Sequence, residues 1–111
     1  MIIYSENCKK ELLNPHLQNM CDVMERALNI DITATSGFRT PEHNAEVGGV
    51  PNSSHLKGLA IDFAIPDSFV RFKVIIAGIT AGFNRIGLSV EFGRIHFDID
   101  PDKPQNCIFK D

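Results

Sequence analysis

Strict alternation of polar and apolar residues near the carboxyl end is the feature that most constrains how this chain can fold. Residues 94–100 read RIHFDID, so every second side chain projects to the same face of an extended strand. The apolar face suits a core, whereas the other face carries an imidazole and two carboxylates from His96, Asp98 and Asp100. Such a face on a central strand predicts a functional site.

A second apolar segment is interrupted in the same way. In LAIDFAI, residues 59–65, Asp62 shares a strand face with two alanines, and the preceding loop VPNSSHLKG, which we expect to be exposed, carries His55. If this strand pairs with that of His96 in an antiparallel sheet, the three side chains meet. Two imidazoles and one carboxylate leave a fourth tetrahedral position for water, as in catalytic zinc sites. The sequence therefore predicts a hydrolytic zinc centre.

Helical and extended signals alternate along the rest of the chain. Apolar residues at steps of three and four predict helices over residues 15–29 and from a Ser68 cap up to Gly82. Shorter signals predict the remaining elements: a strand over 31–35, a peripheral helix capped by Thr40 and ended by the glycine pair 48–49, a hairpin near Gly93, and a proline-interrupted tail over 101–111.

Composition excludes several classes of protein. At 111 residues with 43% hydrophobic and 23% charged residues, the chain fits one globular domain over 1–111. Its net charge is −3 and its eleven basic residues are scattered, so we expect no nucleic-acid partner. The apolar stretch 1–4 is too short for a signal peptide or a membrane span, and we expect synthesis in the cytoplasm without a signal peptide. Three cysteines without Cys-x-x-Cys spacing indicate reduced thiols.

The polar positions resemble the zinc D-Ala-D-Ala carboxypeptidase family, which also includes phage L-alanyl-D-glutamate endolysin peptidases and the Hedgehog signalling domain. The family pattern Ser-x-His-x-x-Gly-x-Ala-x-Asp is matched from Ser53 to Asp62, and its later His-x-Asp element at His96 and Asp98. The resemblance covers about residues 35–100 and is close to the short phage-type members. It implies that His55, Asp62 and His96 hold zinc. It also implies an α+β fold, with a small antiparallel sheet and helices packed on one side.

The same resemblance implies residues that contact the substrate. The family's Ser-Gly-aromatic-Arg segment is matched by SGFR, and its arginine would face a carbonyl or carboxylate of the substrate, which suits the planar guanidinium of Arg39. We assign Ser53, the first residue of the matched zinc motif, to substrate binding together with Arg39. The alternative for Arg39 is a surface ion pair with Glu42 or Glu46.

The general base departs from the pattern of many relatives, which carry an acid three residues before the last zinc ligand. Gly93 occupies that position in this sequence. Glu91, further upstream, is our candidate for the base, although alternation sets it on the opposite strand face from His96 unless Gly93 breaks the register. Asp98 is the other candidate, or it orients a ligand imidazole.

The resemblance implies a zinc peptidase that hydrolyses peptidoglycan stem peptides, as a D-Ala-D-Ala carboxypeptidase or as an endolysin-type endopeptidase. The alternative is a non-catalytic, zinc-stabilised binding module, as in the Hedgehog domain. We expect a monomer that acts on the cell wall after release, or as a virion component.

Overall fold

A six-stranded sheet and three α-helices make up the fold in the computed structural model, which describes residues 1–111. The helices are α1 (Pro15–Ala27), α2 (Pro41–Glu46) and α3 (Ser68–Thr80). The strands are β1 (Ile2–Tyr4), β2 (Ile32–Ser36), β3 (Ala60–Ala64), β4 (Arg85–Ser89), β5 (Arg94–Asp98) and β6 (Cys107–Lys110). Two 3₁₀ helices, Lys10–Leu12 and Ser54–Lys57, complete the structure. The predicted α+β class is confirmed.

The strands lie in the order β1-β2-β3-β5-β4-β6. The four inner strands pair antiparallel, as predicted, and β4 and β5 form the hairpin expected near Gly93. The two outer strands run parallel to their neighbours, so the whole sheet is mixed. Parallel pairing of β1 with β2 requires a crossover, and α1 provides it because it lies between them in the chain.

One face of the sheet is apolar and packs against α1 and α3, as the prediction of helices on one side requires. Phe63 and Phe97 are fully buried on this face, with ring centroids 5.9 Å apart. The helices contribute Met24 and Val74 to the same hydrophobic core. Because side chains alternate across the sheet, the opposite face receives the polar residues of β3 and β5.

Each α-helix begins after a residue whose side chain caps it, and one of the predicted caps is wrong. Asn14 caps α1 and Thr40 caps α2, each through a side-chain oxygen that accepts a backbone N–H. The prediction that Ser68 caps α3 is wrong by one residue, because Asp67 accepts hydrogen bonds from two backbone N–H groups and Ser68 is the first helical residue. A carboxylate at this position also favours the positive end of the helix dipole.

Two further predictions differ from the structure, and one strand was missed. The tail over 101–111 is not entirely irregular, since β6 extends the sheet, and β1 was not predicted. The loop VPNSSHLKG is not exposed throughout, because Ser53, Ser54 and His55 are buried and a 3₁₀ helix forms over Ser54–Lys57.

Helix α3 is apolar on two faces. Val74 and Ala77 lie in the core, while Phe69 and Phe72 are exposed and form an outward stripe. None of the helices has both the length and the hydropathy that a membrane crossing needs. All three cysteines are free thiols.

Candidate metal centre

His55, Asp62 and His96 meet on the polar face of the sheet. The register of β3 and β5 sets Asp62 directly opposite His96, and the 3₁₀ helix Ser54–Lys57, which we call the His55 helix, brings in the third side chain. One ligand atom from each residue lies within 4.8 Å of the other two, and this is the only such group of three metal-competent residues in the structure. The predicted trio is therefore brought together.

The hydrogen bonding of His55 leaves one ring nitrogen free for a metal. Its Nδ1–H donates to the carbonyl oxygen of Gly37 at 2.7 Å, which fixes the tautomer because a carbonyl can only accept. The Nε2 lone pair then faces Oδ2 of Asp62 at 3.2 Å. A lone pair and a carboxylate oxygen at this distance, both buried, need a proton or a metal ion between them.

His96 lies between two carboxylates. Its Nδ1 is 2.9 Å from Oδ1 of Asp62, and its Nε2 is 2.7 Å from Oδ2 of Asp98. Burial alone would lower the pKa of His96, but hydrogen bonds and charge attraction from Asp62 and Asp98 raise it to about 9. In the metal-free protein His96 is therefore an imidazolium, and the position between Nδ1 and Asp62 attracts a positive charge.

The carboxylate of Asp62 also favours a positive charge at this position. Burial would raise the pKa of its carboxyl, but hydrogen bonds and charge attraction from His55 and His96 hold that pKa well below its usual range. Asp62 is thus an ionised, buried carboxylate between two imidazoles. Two nitrogen donors and one carboxylate oxygen that converge on a point attracting cations fit a zinc ion.

Both carboxylate oxygens of Asp98 are hydrogen-bonded, so this side chain is not available as an acid or base. Its Oδ1 accepts from Nε of Arg85 at 2.7 Å and from the backbone N–H of Asp100 at 3.1 Å, while Oδ2 is engaged by His96. Burial would raise the pKa of Asp98, but His96, Arg85 and the backbone N–H lower it to about 2. This geometry suits a carboxylate that orients an imidazole.

Arg39 lies beside the trio and not in a surface ion pair with Glu42 or Glu46. Its Nη2 is 3.7 Å from Oδ2 of Asp62, and its Nε donates to Oγ of Ser36 at 3.2 Å. Ser53 caps the His55 helix, because its Oγ accepts from the backbone N–H of His55 at 3.2 Å. Both predicted substrate residues therefore border the group of three.

These residues line a cleft of about 350 Å³. Among the lining side chains that sequence reasoning missed are Arg85, Arg94, Lys103, Phe109 and Asp111. The Phe109 ring lies with its centroid 5.8 Å from that of His96, and the guanidinium carbon of Arg85 lies 4.8 Å from the centre of the same ring. The signal that could have found Phe109 is the short apolar run CIF in the tail.

Glu91, the predicted base, lies apart from this group. It is exposed in the turn between β4 and β5 and is not among the residues that line the cleft. Gly93 in the same turn has a φ of 61°, so strand alternation does not extend back to Glu91, but the turn does not direct Glu91 to the metal ligands. Its role stays a prediction, because catalytic contacts often tighten only when substrate binds.

The sequence profile of the family described as Peptidase M15 matches residues 2–98, which is well over half of the chain. The match includes all three members of the buried trio and both strands that carry Asp62 and His96. No curated protein matches the sequence significantly.

Proposed function

The chain belongs to the peptidase M15 family, and we propose that it is a zinc peptidase that hydrolyses the stem peptides of bacterial peptidoglycan. The observation that carries the proposal is the buried His55, Asp62 and His96 group at the base of a cleft open to a substrate. When bound there, zinc supplies a Lewis acid that activates water and polarises a carbonyl group.

The residues of the chain have distinct tasks in this proposal. Arg39 binds the scissile carbonyl or a terminal carboxylate of the substrate, because its guanidinium is largely buried beside Asp62 and offers several planar donors. The hydroxyl of Ser53 accepts one hydrogen bond from the chain and retains a hydrogen to donate to the peptide backbone.

A general base must take a proton from water. We keep Glu91 in this role and give Asp98 the task of orienting His96, because both oxygens of Asp98 already accept hydrogen bonds. For Glu91 to act, the turn that carries it must move toward the cleft when substrate binds, as loops at active sites commonly do.

The charge of the cleft supports a peptide with carboxylates as substrate. Four cationic side chains line it, from Arg39, Arg85, Arg94 and Lys103, against the three carboxylates of Asp62, Asp98 and Asp111. A bound divalent ion would make the cleft more positive still. Peptidoglycan stem peptides carry free carboxylates, and either cleavage at D-Ala-D-Ala or cleavage within the stem would use such a cleft. The proposed site of action is the cell wall, reached after release or from a virion.

One observation favours a second candidate, a non-catalytic zinc module that binds a partner in the cleft. Each carboxylate of the cleft is already paired, Asp111 with Arg94 at 3.0 Å, so none is free to act as a base without rearrangement.

The deciding experiment is mass spectrometry of muropeptides after incubation of purified peptidoglycan with the protein. We expect new stem-peptide fragments that a chelator abolishes and added zinc restores, and the fragment masses name the bond cut. His55→Ala serves as the control, because it should contain less than one zinc per chain. If zinc-loaded protein leaves all muropeptides unchanged and chelation only lowers the melting temperature, the result would support the binding module and refute the peptidase.

A further inference from the structure

Asp100 is a fully buried carboxylate that does not line the cleft. Its Oδ2 accepts from Oγ of Ser54 at 2.8 Å, and both of its oxygens accept from Nζ of Lys57 at 3.1 Å. Within its own turn, Oδ1 accepts from the backbone N–H of Asp102 at 3.1 Å. Lys103 approaches Oδ2 only to 3.9 Å. The short bonds from other elements all come from the two ends of the His55 helix.

The His55 helix needs such a partner because it is short. It has four residues and lies between a turn at residues 51–52 and Gly58, whose φ of 70° ends it. A single 3₁₀ turn is not stable by itself, since few hydrogen bonds offset the ordering of its backbone. Its position is therefore set by contacts from outside, and Asp100 makes two of them, one to the residue before His55 and one to the end of the helix.

Asp100 continues the polar face that holds the other imidazole. At alternate positions, His96 faces the metal site, Asp98 binds Nε2 of His96, and Asp100 binds the helix that carries His55. Burial would raise the pKa of Asp100, but hydrogen bonds from Ser54, the Asp102 N–H and Lys57 lower it, so this carboxylate is ionised when it binds Lys57. The segment from His96 to Asp100 thus contains one of the two imidazoles of the metal site and contacts the helix that carries the other.

We infer that Asp100 is a positioning residue for the metal centre, which holds His55 in place through Ser54 and Lys57 so that its Nε2 faces Asp62. The inference rests on the proposed zinc site and adds a residue to it that touches neither metal nor substrate. A residue that only stabilises the fold would lower the melting temperature without changing the affinity of the folded protein for zinc. A positioning residue changes the affinity itself, typically by about 10-fold to 100-fold.

The test is the zinc dissociation constant, measured by competition with a chromophoric chelator at a temperature where each variant is folded. We expect Asp100→Asn to bind zinc about 10-fold to 100-fold more weakly than wild type. Asp22→Asn is the control for the same chemical change, because Asp22 lies on α1 and pairs with Lys10 outside the cleft, so its loss should leave zinc affinity unchanged. The visible spectrum of the cobalt-substituted protein should change for Asp100→Asn and not for Asp22→Asn, since it reports the ligand geometry.

Variants of Lys57 keep the inference testable if Asp100→Asn does not fold. Lys57 is 39% exposed in its side chain, so Lys57→Met should fold, and we expect it to weaken zinc binding while Lys57→Arg restores it. Equal zinc affinity in wild type, Asp100→Asn and Lys57→Met would overturn this inference alone. A wild-type protein that binds no zinc would overturn the proposed function and this inference together.

Discussion

Replacement of Asp98 by asparagine tests how the site holds His96. With a metal at Nδ1, His96 carries its proton on Nε2 and donates it to Oδ2 of Asp98, while Arg85 donates to Oδ1. An asparagine has only one oxygen. Whichever way its amide is turned, its NH₂ group faces a donor, either the Nε2–H of His96 or the Nε–H of Arg85. The substitution keeps the volume and removes at least one of the three buried hydrogen bonds that the carboxylate accepts.

The expected effect on metal binding follows from this geometry. Loss of a carboxylate that orients a metal ligand weakens metal affinity by about 10-fold to 100-fold, which corresponds to about 1.4 to 2.7 kcal/mol of zinc-dependent stability. At about 4 °C per kcal/mol for a chain of this size, the rise in melting temperature on adding zinc should be smaller by about 6 to 11 °C. The loss of the Arg85 pair lowers the stability of the metal-free protein as well, so the quantity compared is the gain from zinc in each variant.

The assay is thermal unfolding of wild type, Asp98→Asn and the distant control Asp22→Asn, each with excess zinc and with chelator. An equal gain from zinc in wild type and Asp98→Asn would refute the reasoning, because Asp98 would then not orient His96. If that equal gain comes with a loss of hydrolysis of about 100-fold to 10,000-fold, Asp98 is the general base.

The remaining predictions concern the substrate side of the cleft and the core. Arg39→Lys keeps the positive charge but loses the planar guanidinium, so zinc content should stay at about one per chain while hydrolysis of muropeptides falls. Full activity of this variant would show that Arg39 does not bind the substrate. Glu91→Gln should retain zinc and lose about 100-fold to 10,000-fold in hydrolysis, and an unchanged rate would remove Glu91 as the base. Gly78→Ala places a Cβ in steric overlap with the buried Phe97 ring, so it should destabilise by about 1 to 3 kcal/mol in denaturant unfolding despite the better helix propensity of alanine. A stabilised variant would contradict the close packing of α3 on β5.

The sequence predicted the inner part of the structure well because its signals there are periodic. The apolar stripe of α1 and the alternation around Asp62 and His96 each repeat over enough residues to define a face. Antiparallel pairing of two strands with matching polar faces then places these two side chains on the same face, and the observed register sets them opposite each other. The third ligand, His55, was predicted from its place in the loop before β3 and from the motif resemblance, since no periodicity describes a four-residue 3₁₀ helix.

The edges of the sheet were not predicted because their signals are short. β1 has three residues and β6 has four, and parallel pairing at an edge depends on neighbours that are distant in the sequence. Missing β6 also meant missing Phe109, which lies against His96 in the cleft. The pairing of Arg85 with Asp98 was not predicted for a different reason, because it depends on which side chains of two predicted strands meet.

The placement of Asp62 opposite His96 has a consequence for the folding kinetics of the chain. These two residues are 34 positions apart, so their meeting requires closure of a long loop and docking of α3 onto the sheet. If this pairing completes only after the rate-limiting barrier, the transition state has no metal site, and zinc should slow unfolding without accelerating refolding. Zinc added at successive times during refolding would then mark the moment at which β3 and β5 come into register.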